Sequence, residues 1–324
     1  MVKAKERYLL SGGWGDYIAV SPDGSYVAAA STGRLYLWHS PSEAPEIRLL
    51  PGFNKSPIFW NSHENLIHAG VYKISLEPLT VIYPGFDIIN LLSIELGRPV
   101  ECLELDRAIW NSEGSTLYCQ VMSVPSRGLD MTAGVESSDN ASSVWFCSID
   151  GRKGSLNQPP LESDSYYAIS ALTVNSGWLV TGDNIGLNVM PISTESALHR
   201  IDIGSQDQVI VRDVALSPEG KRVAFAALGG DVYIWNLMSG RLEQKLNLDC
   251  KQAPPCCLFE PRTGNLILSS GRKIYSWHIS AQDDPTLEFE TMDVVVGLAI
   301  SETGNTLVSA SGIGGSFIEG FRLI

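Results

Sequence analysis

Residues 209–248, VIVRDVALSPEGKRVAFAALGGDVYIWNLMSGRLEQKLNL, carry four strand signals in forty residues. VIVRDVAL is apolar and β-branched, RVAFAA and DVYIWNL alternate, and RLEQKLNL closes the unit; SPEGK, LGG and MSG supply the turns between them. Four short strands joined by tight turns form an antiparallel meander. Such a sheet cannot bury both of its faces alone, so it demands neighbours of the same kind.

The chain supplies them. Taking the turn between the first and second strands as a marker, copies turn at Ser21, Asn61, Asn111, Asn175, Ser217, Glu260 and Ser301, with successive spacings of 40, 50, 64, 42, 43 and 41 residues. A period of about 40–45 residues with four strands per repeat is the signature of propeller blades. The expected blades are residues 16–50, 55–83, 106–160, 167–203, 209–248, 253–292 and 293–324. The last has room for only two strands after its turn, TLVSAS and FIEGFRLI, while ERYLL at 6–10 is an orphan strand signal ahead of the first. Pairing 6–10 as the outer strand of the last blade closes the ring and hides an edge. The expectation is all-β: one domain over 1–324, a seven-bladed β-propeller of four-stranded antiparallel blades, closed by its N-terminal strand.

Specific residues carry a family resemblance. The turns SPDG at 21–24 and SPEG at 217–220, and the third-strand patterns ending in Trp at 35–38, 232–235 and 274–277, resemble those of WD-repeat β-propellers over essentially the whole chain. The chain is a divergent copy. No Gly-His dipeptide precedes a blade, and His39, Asn236 and His278 follow the Trp where the family often has Asp. The resemblance implies a binding module whose narrower top face is the usual partner site.

Composition narrows the functions. With 44% hydrophobic and 18% charged residues the chain is core-forming. Its 23 basic against 36 acidic residues, net −13, offer no broad positive field for a phosphate backbone, so direct nucleic-acid binding is not expected. No apolar run suits a signal peptide or approaches the ~20 residues of a membrane span, so an intracellular location, cytoplasmic or nuclear, is expected, without membrane insertion. The six cysteines, at 102, 119, 147, 250, 256 and 257, lack metal spacing and read as reduced core thiols.

Catalytic motifs are absent from the sequence: no GxSxG, no HExxH, no Gly-rich loop between strand and helix. The five histidines are scattered, and SGIGGS at 311–316 lies between two strands, where a loose turn accounts for it. The inner strands read IAV, IFW, AIW, LTV, VAL, CLF and LAI, hydrocarbon that argues against a hydrolase site in the channel. No catalytic residue, metal or cofactor is expected.

Deviations from the period point elsewhere. One excess of about nine residues falls within 84–106 and is apolar at Ile88, Ile89, Leu91, Leu92 and Ile94, fit for a docking strand or short helix. Another of about 23 falls at 123–142, is rich in Ser, Gly and Asp, and holds Arg127. Strand direction alternates within a blade, so both insertions emerge on one face. Equivalent junctions there bring Trp14, Arg34, Phe53, Tyr166, Tyr167, Asp183, Arg212, Asp231, Lys251 and Arg272 to the same side. Aromatic and Arg anchors are the residue types that carry interface energy. The leading expectation is a non-catalytic protein- or peptide-binding scaffold, a monomeric ring serving as a subunit or adaptor in a hetero-complex. A reader of a basic or modified peptide tail is the alternative that the acidic charge suits, and a channel hydrolase is the third.

Overall fold

Six of the seven marker residues are hydrogen-bond acceptors, among the described residues, that turn the chain back on itself. Ser217 Oγ accepts from the N–H groups of Lys221 (3.2 Å) and Arg222 (3.0 Å), Ser301 Oγ from Asn305 (3.2 Å) and Thr306 (3.1 Å), and Asn111 Oδ1 from Ser115 (2.9 Å) and Thr116 (3.0 Å). Ser21 Oγ and the Glu260 carboxylate do the same work in their own turns. A short polar side chain that satisfies its own turn offers the backbone an alternative to continuing the strand. Gly220 and Gly304, each three residues on, have φ near +67°, where a side chain is strained.

The computed structural model describes residues 4–31, 33–39, 43–51, 56–62, 64–76, 78–82, 87–100, 103–111, 113–123, 144–156, 161–163, 171–175, 177–182, 186–191, 199–202, 210–248, 255–279 and 284–323. Strand β1 (Ala4–Leu10) comes first. Then follow β2 (Tyr17–Val20), β3 (Val27–Ser31), β4 (Arg34–Trp38) and β5 (Glu46–Leu49) in one sheet, and β6 (Ile58–Asn61), β7 (Leu66–Ala69), β8 (Tyr72–Leu76) and β9 (Leu79–Ile82) in the next. Helix α1 (Ile88–Leu96) precedes β10 (Leu103–Trp110), β11 (Thr116–Ser123), β12 (Val144–Asp150), β13 (Ser155–Leu156) and β14 (Leu161–Ser163). The fourth sheet is β15 (Ala171–Asn175), β16 (Trp178–Gly182), β17 (Gly186–Pro191) and β18 (His199–Asp202); the fifth is β19 (Val211–Leu216), β20 (Arg222–Ala227), β21 (Asp231–Asn236) and β22 (Arg241–Asn247). Strands β23 (Cys257–Phe259), β24 (Leu266–Ser270), β25 (Lys273–Trp277) and β26 (Thr286–Glu290) form another, and β27 (Val295–Ile300), β28 (Thr306–Ser311) and β29 (Phe317–Leu323) pair with β1 in the last.

This is an all-β propeller with four-stranded antiparallel blades, and it departs from the expectation of seven four-stranded ones. Among the described residues six sheets are four-stranded; in the sheet that starts at β10, the outer position is split between β13 and β14, both paired to β12. Neighbouring inner strands pack in sequence, β2 on β6, β15 on β19, β19 on β23, β23 on β27, and β27 back on β2. The apolar cores lie between adjacent sheets: Leu35 and Leu37 meet Ile67 and Ile74, and Val232 and Ile234 meet Leu266 and Leu268. Each sheet therefore depends on both neighbours for burial.

The N-terminal strand closes the ring, starting at Ala4, two residues before the expected 6. Arg7 lies opposite Phe321 and Leu9 opposite Glu319. An ideal Cβ on Gly320 would sit 2.1 Å from the Tyr8 ring, so the closing strand seats only against glycine there. The 84–106 insertion is the short helix, capped by Asp87, whose carboxylate accepts from Asn90 N–H (3.1 Å), and ended by Gly97 at φ 61°. Residues 124–143, including Arg127, lie outside the described residues.

Candidate functional site

On the face where outer strands lead into the next inner strand, three loops meet at the seam between the last sheet and the first. Residues 11–16 join β1 to β2, 291–294 join β26 to β27, and 312–316 join β28 to β29. Backbone bonds lock them together: Gly15 N–H donates to Gly315 O (3.3 Å), and Gly312 N–H to Val294 O (2.8 Å). A Cβ on Gly315 would fall 2.1 Å from Gly15 O, so only glycine permits that approach. The 291–294 loop is pinned from beneath. Thr291 Oγ1 donates to the carbonyls of Arg272 (2.9 Å) and Asp293 (2.7 Å), and Met292 N–H donates to Glu319 Oε2 (2.8 Å).

The locked loops and the adjoining start of β27 present hydrocarbon to solvent. Trp14 is 44% exposed, Met292 48%, Val296 37% and Ile313 96%. The Trp14 ring leans on Tyr36 (centroids 6.4 Å apart) and on Gly314, whose Cβ would lie 3.8 Å from it. Exposed apolar side chains on hydrogen-bonded, preorganised loops are features of an interaction surface. Asp16, exposed on the same loop, has its carboxyl pKa raised above the ordinary value by partial burial.

The residues singled out from the sequence disperse. Trp14 is in the seam, with Arg34 exposed at the start of β4 and Arg272 at its margin, its Nε donating to Thr291 O (3.1 Å). Ile88 packs inward beside Leu92 against Leu103 and Val121, and Ile89 is half-buried, because the helix lays that face on the third sheet. The outward apolar residue of the helix is Ile94, 80% exposed. Asp231 is engaged by Lys245 (2.9 Å) and Asn247 (2.7 Å), while Arg212 is exposed on β19. Phe53, Arg127, Tyr166, Tyr167, Asp183 and Lys251 lie outside the described residues. Sequence reasoning missed Met292, Val296 and Ile313. A lone isoleucine among glycines in SGIGGS was the legible signal.

The inner strands also hold more polarity than their central triplets suggested. Arg107 lies on β10 and Asp213 on β19. Although residue 213 as a whole is only partly buried, its carboxyl is enclosed, and that burial raises its pKa to about 7 against the lowering effect of N–H donation from Cys257 (2.8 Å) and Val214 (3.0 Å). The Cys257 bond ties two adjacent sheets. Between the unfolded value near 3.8 and the folded value near 7 the folded chain binds more protons, so this group's contribution to stability is full below the lower value and lost as pH rises through the upper. Asp213→Asn is expected to abolish that component, seen as a change in slope of urea-unfolding free energy between pH 4 and 7; an unchanged slope would refute it. Among the described residues no three His, Cys, Asp or Glu side chains gather as a metal set, and no helix is long and apolar enough to cross a membrane.

Compared with known proteins, residues 16–39 match the family model described as WD domain, G-beta repeat, a span that runs from the seam loop through β2, β3 and β4. No curated protein matches the chain.

Proposed function

The chain is a WD-repeat β-propeller, and from that premise we propose that it is a non-catalytic scaffold that binds a protein or peptide through the seam patch, as a subunit or adaptor in a larger complex. Counting the β10–β14 sheet as a blade gives a ring of seven. Propellers of this family generally serve as protein-interaction platforms. The observation that carries the reading is the exposure of Trp14, Met292 and Ile313 on three loops joined by backbone bonds, with Val296 exposed at the start of β27. Helix α1, with Ile94 outward on the same face, supplies a second contact area.

The patch has the character of an interface core rather than of a reaction site. Its exposed groups are hydrocarbon and an indole, which gain energy when water leaves them, at about 25 cal/mol per Å² of apolar surface buried. Introducing a charge there, Ile313→Glu, is expected to abolish co-purification of partners that the wild-type protein retains, while leaving the thermal unfolding temperature unchanged because the side chain supports nothing beneath it. Partner recovery at wild-type levels from a folded Ile313→Glu, Trp14→Ala double variant would sink the reading.

A further inference from the structure

Two cysteines face each other across the third sheet. Cys119 of β11 stands directly opposite Cys147 of β12, and both thiols are buried and free. Further along the same ladder Gly151 N–H donates to Ser115 O (2.8 Å), and bonded pairs recur at every second residue, so 119 and 147 are also a hydrogen-bonded pair. Such pairs set their Cα atoms about 5.5 Å apart, within the roughly 4.4–6.8 Å that a disulfide spans. The Cys119 thiol already donates to the Cys147 sulfur. The other cysteines among the described residues make no such pair. Cys256 and Cys257 are adjacent in the chain, but their side chains enter different cores, Cys256 with Leu307 and Phe321 and Cys257 with Val232 and Leu268.

Two irregularities of the fold converge on this pair. The outer position of the sheet is split: β14 pairs with β12 over 144–146 and β13 over 149–150, so Cys147 falls between the two pieces. A strand whose outer partner is interrupted opens locally at less cost than one paired throughout. On the face of the sheet, Ile88 and Leu92 of helix α1 belong to the same apolar core as both cysteines. The helix has no ladder bonds to break when it lifts. While the core is closed, the hydrogen bond to Cys147 and burial hold the Cys119 thiol well above its ordinary pKa, so the thiolate that attacks disulfides is withheld until the core opens.

We propose that Cys119 and Cys147 are a redox pair, which a small-molecule disulfide converts into a cross-strand disulfide fastening β11 to β12 in the core shared with helix α1. When the core opens, one thiol ionises and attacks a sulfur of the small disulfide, forming a mixed disulfide and releasing one small thiolate. The second thiol ionises and attacks the protein sulfur of that intermediate, forming the Cys119–Cys147 bond and releasing the other. The two protons lost by the cysteines pass to the two released thiolates. The pair is oxidised by two electrons, and the small disulfide is reduced to two thiols. The crosslink closes the chain between β11 and β12 and stabilises the sheet whose outer strand is interrupted.

The test incubates the full chain with oxidised glutathione in native buffer, quenches it in acid, alkylates the remaining thiols and reads disulfides by mass spectrometry of digests. The expected result is a linked 119–147 peptide that accumulates while Cys256 and Cys257 stay free of glutathione, is absent from Cys147→Ser and is reversed by dithiothreitol. The crosslinked chain should unfold at a higher temperature than the reduced one. Leu92→Ala, which loosens the shared core, should speed linking about tenfold or more without exposing Cys256 or Cys257. No link in wild type, or a link that forms only as fast as Cys256 and Cys257 take up glutathione, overturns the proposal, because the latter marks global unfolding. A crosslinked chain that unfolds no higher than the reduced one overturns the fastening. A linking rate in folded Leu92→Ala within about twofold of wild type overturns the part given to the helix. The wild-type measurements stand whatever the folding of the variants.

Discussion

Glu319→Ala is expected to lower the free energy of unfolding by about 2–4 kcal/mol, measured by urea denaturation near neutral pH. Glu319 is 1% exposed, yet its carboxylate serves two partners on different segments: Arg7 of the closing strand and the Met292 N–H of the seam loop. Truncation leaves the Met292 donor without its acceptor, opens space in a packed seam and frees the strand that completes the last sheet. Arg7→Ala is expected to cost a similar amount despite the exposure of Arg7, because it strands the Glu319 carboxylate in the interior with one backbone donor. The double variant should lose less than the sum of the singles, the mark of a shared interaction. A change below about 0.5 kcal/mol in Glu319→Ala would mean that the pair does not hold the closure.

The second large effect is acid loss of stability at the seam between the second and third sheets. His68 is fully buried, with Nε2 2.9 Å from Glu64, and Glu64 in turn holds Lys73 (2.9 Å), whose ammonium lies over the Trp110 ring and donates to Gly114 O (2.7 Å). Burial drives the His68 pKa down to about 4, outweighing the upward pull of its bond to Glu64. For Glu64, burial pushes upward, but the bonds and charges of Lys73 and His68 prevail and hold it below its ordinary value. Over pH 6.5 to 4 the unfolded chain takes up a proton at His68 that the folded chain refuses. The contribution is therefore present above about 6.5 and lost as pH falls toward 4, on the order of 3 kcal/mol in all. His68→Gln keeps a donor to Glu64 and cannot titrate, so the wild-type minus variant difference isolates the effect. Asp213 acts in the opposite sense across an overlapping range, so the wild-type profile should be flatter than that of either His68→Gln or Asp213→Asn. A wild-type minus His68→Gln difference that does not vary with pH would refute the assignment.

How much of this was legible before folding differs by feature. The turns were, because their chemistry is local: an acceptor at Ser21, Asn111, Ser217, Glu260 or Ser301 bonds N–H groups only two to five residues away. The ring closure was legible as an accounting of strands, with ERYLL in surplus at one end and a deficit at the other. The third sheet was misjudged in form, since nothing in 151–163 announces that one outer strand will be two short pieces. The helix was foreseen as an element but not by face. Ile88, nominated for contact, turns inward, and Ile94 turns out.

The seam patch was hardest to read, because its members come from opposite ends of the chain. Trp14 and Asp16 lie near the start, Met292, Val296 and Ile313 near the end, and they become neighbours only when β1 pairs with β29 and residues 11–16 are carried across to the last sheet. The sequence by itself determined the repeat, the turn chemistry and the strand that closes the ring, all of which follow from local periodicity and hydrogen-bond capacity. Tertiary structure alone decided which apolar side chains remain in water, since exposure depends on what the rest of the ring brings alongside.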